Sequence, residues 1–261
     1  MTNSLAQRWR DDLEAWAIPP EILEQADEPP WGHPVAMFEA PDVIVDSPSH
    51  QRARSALPPG GSVLDVGCGG GRASLALVPN VGHVTGVDSQ AAMLASFASS
   101  CERRGIGHDV VLGSWPDVVV PVADVVVCHH LLFNIPDIVP SLLALNAHAR
   151  HRVVIEVPQL HPLSTWNPLW ERFWGLSRPT RPQARDIVAI AAELGLAPQS
   201  LSWVDESWGA RVALPEEERA RYARIRLCLP ANREAEVRQA MAAQDGPREM
   251  LTIWWDRPAE A

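Results

Sequence analysis

Two groups of residues in this chain could do chemistry. The first is V-L-D-V-G-C-G-G-G, residues 63–71, where Asp65 stands two positions ahead of Gly67 and glycines also occupy 69, 70 and 71. Glycine lets a main chain turn at positive φ and approach a ligand that side chains would hold off. Free amides at the start of a following helix favour anionic groups. Asp88, 21 positions after Gly67, adds a carboxylate. The second group is His129, His130, Glu156 and His161. Histidine, with an ordinary pKa of about 6.5, suits a general base at neutral pH. His130 is the first candidate and His161 the second, with Glu156 better suited to orient a neighbour. A metal site from His129, His130 and Asn134 is disfavoured, because adjacent strand residues point to opposite faces.

The elements that position these groups follow from periodicity. Short β-branched runs at 62–66, 83–87, 109–112, 123–128 and 152–157 alternate with helical stretches. Nearly continuous Val and Ile imply strands buried on both faces, hence a mostly parallel sheet covered by helices. One helix is expected from about Arg72 and another over 89–104, where Met93, Phe97 and Cys101 share a face. Arg103 and Arg104 suit the negative end of that helix and Gly105 its stop. A third is expected over 137–149. Runs at 199–204 and 249–255 would close a doubly wound, seven-stranded α/β sheet. Leu5, Trp9, Leu13 and Trp16 mark an N-terminal helix that Pro19-Pro20 ends. The expected organisation is an extension over 1–60 and a ligand-binding domain over 61–261, with insertions at about 159–182 and 207–247. The second insertion reads as two helices over one end of the sheet, with Glu217–Arg221 and Glu234–Arg238 spaced to pair.

Spacing separates the ligand classes that use such a turn. Dinucleotide-binding turns follow G-x-G-x-x-G/A, which would need a small residue at position 72, and Arg72 stands there. The third glycine of a G-x-G-x-G run falls instead at Gly71. With Asp65 ahead of it, this stretch resembles motif I of the class I S-adenosylmethionine-dependent methyltransferases. The resemblance implies a Rossmann-like fold and S-adenosylmethionine as cofactor, with S-adenosylhomocysteine as product. It places Asp65, Gly67, Cys68 and Gly69 in motif I, Asp88 on the ribose hydroxyls, and Ser89 and Met93 beside the adenine. Where the family usually shows Gly-Asp after the third strand, this chain has Gly113-Ser114-Trp115. Ser114 would give the adenine an uncharged contact, with Trp115 compensating by stacking. Residues 123–138 resemble motif IV and put Cys128 and His129 beside the methionine part of the cofactor. The resemblance covers about residues 60–160 and, loosely, the closing strands.

The acceptor is expected to be a small, hydrophobic or aromatic molecule. Trp166, Trp170 and Trp174 fall on or beside a short helix that Asn167 would cap, with Pro168 at its first position and Gly175 as its stop. Either this face packs on the core, or it forms an aromatic lid to which Trp31 would belong. His50, Arg52 and Arg54 lie where the family often holds the cofactor carboxylate, though solvated charge is the plainer reading. Two alternatives stand beside the enzyme reading. One is a non-catalytic module that binds the same cofactor; the other is an RNA or protein methyltransferase. The formal charge of −10 disfavours a nucleic-acid partner.

The rest of the composition sets bounds. No apolar run suits a membrane span, and the first 20 residues do not read as a secretory signal, so a cytoplasmic location is expected. The four cysteines, with no C-x-x-C pair, read as thiols rather than as a disulfide or zinc framework. All 22 basic residues are Arg, which removes lysine chemistry and suggests GC-rich, bacterial coding.

Overall fold

The computed structural model describes residues 4–31, 34–207, 215–241 and 246–258. Seven strands form one sheet: β1 (Gly61–Val66), β2 (Val81–Asp88), β3 (Gly107–Leu112), β4 (Ala123–His129), β5 (Ala149–Pro158), β6 (Gln199–Asp205) and β7 (Arg248–Asp256), in the order β3-β2-β1-β4-β5-β7-β6. All neighbouring pairs are parallel except those made by β7, which runs antiparallel to both β5 and β6. The direction of sequence changes between β1 and β4, the point where ligands bind in open α/β sheets.

Side chains alternate across a strand, and the central strands fill both faces with apolar groups. Leu64, Val66, Val126, Val153, Ile155 and Ile253 build one core. Val63, Val84, Val125, Val127 and Val154 build the other. The first is covered by α1 (Leu5–Glu14), α6 (Ile138–Ala147) and α8 (Ala184–Glu193), the second by α3 (Pro48–Ala56), α4 (Arg72–Leu75) and α5 (Ala91–Arg104). α5 ends as the sequence predicts, with Arg103 and Arg104 in its last turn and Gly105 at φ 66°. The helix expected from Arg72 is a single turn, Arg72–Leu75.

The Trp-rich helix α7 (Asn167–Trp174) packs with α2 (Pro20–Leu23), α9 (Glu216–Arg226) and α10 (Glu234–Met241) in a satellite core containing Ile22, Leu169, Trp170, Ala223, Leu227 and Val237. Trp174 donates to the Leu227 carbonyl at 2.7 Å and Trp166 meets Tyr222 edge-on. Packing therefore takes Trp170 and Trp174, while Trp31 is exposed. Gly175 stops α7 as expected, but Asn167 has helical backbone angles and donates to the Pro179 carbonyl instead of capping. The expected pairs within the insertion yield to tertiary ones. Arg221 pairs with Glu28 at 3.0 Å, and buried Arg224 lies between Glu28 and Glu234 at 2.5 and 3.4 Å. The parts of the insertion at 208–214 and 242–245 lie outside the described residues.

α1 bears directly on the ligand side of the sheet. Trp9 stacks on Phe133 at 5.5 Å and donates its indole hydrogen to the Ile135 carbonyl at 2.9 Å, fixing the loop after β4. It is 1% exposed. Trp9→Ala is expected to destabilise the fold by about 3–5 kcal/mol, read as a lowered urea midpoint. A loss under about 1 kcal/mol would mean that α1 is not part of the cooperative core.

Candidate functional site

A cleft of about 200 Å³ opens at the carboxyl ends of β1, β2 and β4, lined by Gly67, Val87, Asp88, Ser89, Gly113, Ser114, Trp115, Leu131, Asn134 and Ile135. Of the residues singled out from sequence, it gathers Gly67, Asp88, Ser89, Ser114 and Trp115. Leu131, Asn134 and Ile135 lie in the stretch resembling motif IV but are not marked by it as cleft residues; the turn after β4 brings them there.

The glycine turn is shaped by contact as much as by conformation. Gly67 has φ 72°, and a Cβ there would meet the Leu131 side chain at 3.0 Å. A Cβ on Gly70 would come within 2.5 Å of the Phe38 carbonyl oxygen. The expected free amides are not found. Gly67 and Cys68 both donate to the Val87 carbonyl at 2.9 Å, Gly69 to Asp88 Oδ2 at 3.1 Å, Gly70 to Phe38 at 3.1 Å and Gly71 to Cys68 at 2.8 Å. With α4 only one turn long, the loop offers close approach rather than a helix-end anion site.

Asp88 stands at the end of β2. One oxygen accepts from Gly69 and the other from the Gln90 amide at 2.9 Å. A carboxylate has about four lone-pair sites, so two remain for a ligand. Asp65 is wholly buried behind the loop and does not line the cleft. Its Oδ2 accepts from the Ser74 hydroxyl at 2.6 Å and amide at 3.3 Å, while Oδ1 has no hydrogen-bond partner. Met93 is buried on α5, and Cys68 and Cys128 are buried thiols whose pKa values burial raises. None of the three lines the cleft. Trp115 does, with its indole hydrogen donated to the Ser141 carbonyl at 3.2 Å.

Next to the cleft, three histidines converge on one carboxylate. Glu156 is 1% exposed. Its Oε1 lies 3.3 Å from His130 Nε2 and 3.9 Å from His129 Nδ1, and its Oε2 accepts from Ser47 at 2.7 Å. His50 stacks on His129 with ring centres 5.5 Å apart. Strand alternation would separate His129 from His130, but His130 has φ 60°. That left-handed turn, worth about 1–3 kcal/mol of strain outside glycine, swings its ring back to the same carboxylate. Burial pushes the Glu156 pKa up, but His129, His130 and His50 outweigh it and hold the pKa well below the usual value. Among the described residues, no group of His, Cys, Asp and Glu suits a metal ion.

His161 does not join this group. It stacks on Trp16 at 4.0 Å and meets Phe133 edge-on at 5.3 Å, while its Nδ1 accepts from the Leu163 amide. Burial, then Arg178 and Arg248, push its pKa down to about 3. At neutral pH it is an uncharged aromatic plate, unsuited to take a proton. Arg52 lies over Trp254, and Arg54 binds Asp46 and the Ala76 carbonyl. Both are engaged in packing the N-terminal segment.

The comparisons with known proteins agree with this fold. Residues 63–151 match a family model described as a methyltransferase domain. No curated protein matches the chain. A methyltransferase of Thiobacillus denitrificans, solved with S-adenosylhomocysteine, superimposes with TM-score 0.56 at 15% identity, over 92% of this chain and 99% of that one. One from Geobacter sulfurreducens, solved with the same ligand, gives 0.56 at 16% identity over 93% and 100%. Coclaurine N-methyltransferase, bound to N-methylheliamine and S-adenosylhomocysteine, gives 0.53 at 15% identity over 97% and 86%. The fold is the Rossmann-like methyltransferase fold. Residues 63–151 are thus similar to a methyltransferase domain, and the chain around them has the fold of S-adenosylmethionine-dependent methyltransferases. No helix among the described residues is long and apolar enough to cross a membrane.

Asp65 supplies a test independent of any ligand. Burial raises its pKa to about 7 against the pull of the Ser74 hydrogen bonds, with Asp88 adding like charge. An acid with a folded pKa above its unfolded value of about 3.9 contributes stability that is present at low pH. That contribution is lost as pH rises from about 4 to 7. Asp65→Asn keeps an acceptor for Ser74 and does not titrate. Its urea midpoint is expected to climb relative to wild type across that window. A constant difference between the two proteins would contradict the assignment.

Proposed function

We propose that this chain moves the methyl group of S-adenosylmethionine to a small, hydrophobic or aromatic acceptor carrying an N–H or O–H, with His130 as general base. The observation that carries this reading is the meeting of Gly67, Asp88 and Ser114-Trp115 in one cleft beside the Glu156–His130 pair. The residues fit the cofactor. Gly67 forms a cradle that a Cβ would fill, and Asp88 keeps two lone-pair sites for a diol. A cleft of about 200 Å³ is below the roughly 300–1,000 Å³ of drug-sized ligand pockets, which suits the adenosine portion.

Asp88 would hold the ribose, Ser89, Ser114 and Trp115 the adenine, and Gly67 with the following turn the amino-acid tail. When bound, S-adenosylmethionine supplies an electrophilic methyl group on a cationic sulfonium. The chain's own part is alignment, exclusion of water and proton removal. His130, at the end of β4, takes the proton that the acceptor nitrogen or oxygen gives up as it gains the methyl group. Glu156, anionic and buried, stabilises the imidazolium that results. His129 would line the wall beside the reacting groups. Leu131 and Ile135 give this side of the cleft its apolar character, on a loop that Trp9 holds by stacking on Phe133.

Two measurements test the reading. Asp88→Ala leaves the diol unpaired and is expected to weaken S-adenosylmethionine binding by about 1–3 kcal/mol in isothermal titration. Unchanged affinity would count against the ribose contact. The second follows methyl-labelled products formed from a metabolite extract by mass spectrometry. His130→Gln is expected to slow their formation about 10²–10⁴-fold with cofactor affinity preserved. Full activity in that variant would remove His130 from its role.

A further inference from the structure

We infer that Glu156 and Ser47 are positioning residues that choose which nitrogen of His130 takes up the proton, making Nδ1 the accepting atom. The inference rests on the reading of His130 as the base. His130 is tied twice to one residue: its amide donates to the Glu156 carbonyl at 2.7 Å, and Nε2 lies 3.3 Å from Glu156 Oε1. An ionised carboxylate can only accept, so the nitrogen facing it must carry hydrogen. In neutral imidazole the other nitrogen is then the acceptor. The left-handed turn at His130 makes both contacts possible at once.

The carboxylate is itself held. Ser47 is the first residue of a reciprocal cap on α3, in which its hydroxyl accepts from the His50 amide and its amide donates to His50 Nδ1. A hydroxyl has one hydrogen, and that hydrogen goes to Glu156 Oε2 at 2.7 Å. α3 thereby fixes the rotation of the carboxylate, and the carboxylate fixes the ring. The groups facing Glu156 are Ser47 and His50 from α3 and His129 and His130 from β4. On β7, Thr252 is its paired neighbour, bonded to Ser49 and Trp203. Asp46 stands 3.8 Å from His50 Nδ1. The Glu156 pKa is held well below its usual value, with the neighbouring His129 and the hydrogen bond from His130 outweighing burial. A proton arriving at Nδ1 therefore produces an imidazolium against a fixed anion, while the Nε2 hydrogen stays in place.

The test uses the ligand-free, ¹⁵N-labelled protein and long-range ¹H–¹⁵N NMR of the histidine rings. The neutral form of the wild-type His130 ring is expected to be the Nε2–H tautomer, a reading that needs no variant. In Glu156→Gln the tautomers should mix, because glutamine both donates and accepts. Ser47→Ala should mix the tautomers and Ser47→Thr should restore the wild-type pattern. An Nδ1–H tautomer in wild type, or an unchanged tautomer in Glu156→Gln, would overturn the inference. A wild-type spectrum in Ser47→Ala would remove Ser47 from it. Isothermal titration with S-adenosylmethionine separates the two levels. No binding defeats the functional reading, whereas binding with the wrong tautomer defeats only the positioning role.

Discussion

A charge taken out of water must be answered by the groups around it, and the ligand side of this sheet is organised by that requirement. Three carboxylates sit at or near the carboxyl ends of three parallel strands, β1, β2 and β5, each answered differently. Asp65, on β1, is buried with hydrogen bonds from Ser74 alone, and its pKa rises. Asp88, on β2, ties the glycine turn to the start of α5 and still faces the cleft. Glu156, on β5, is buried as deeply as Asp65 but meets Ser47 and the histidines of β4 and α3, and its pKa falls. The same side-chain chemistry thus gives an acid with a raised pKa, a carboxylate facing the cleft and a carboxylate with a lowered pKa.

These placements depend on the sheet beneath them. Parallel strands filled on both faces leave little freedom in register. His129 pairs with Glu156 across β4 and β5, and the turn at His130 adds the second histidine. α1 and α3 close the ligand side from outside the sheet. Trp9 steadies the loop that supplies Asn134 and Ile135, and Ser47 reaches Glu156 across 109 residues of sequence. The N-terminal segment is therefore part of the site's architecture as well as its cover.

The Trp-rich helix shows what aromatic residues do when apolar surface is available elsewhere. Trp170 and Trp174 serve a satellite core with α2, α9 and α10, and Arg178 lies against the rings of Trp16 and Trp170 at 5.5 and 5.0 Å. Buried area dominates the energetics of such large side chains, so the helix turns its aromatic face inward. A helical periodicity reveals that a face exists; the partner against which it packs is a long-range matter.

Local pattern was enough for the seven strands, the ends of α5 and the stop at Gly175, and the motif resemblance for the gathering of Gly67, Asp88, Ser89, Ser114 and Trp115. Strand periodicity and the end-of-strand rule for ligands are short-range physics. They also brought His130 forward as a base and Glu156 as a residue to orient a neighbour. Tertiary structure decided the rest. It gave the amides of the glycine turn to Val87, Asp88 and Phe38, placed Met93, Cys68 and Cys128 in buried packing, and set His161 between Trp16 and Phe133 as an uncharged ring. It also curled His130 back beside His129 and recruited Ser47, a residue without any motif. The reason is range: spacing along a chain determines which groups share a strand or a helix face, whereas a proton's place depends on burial and on charges brought close only by folding.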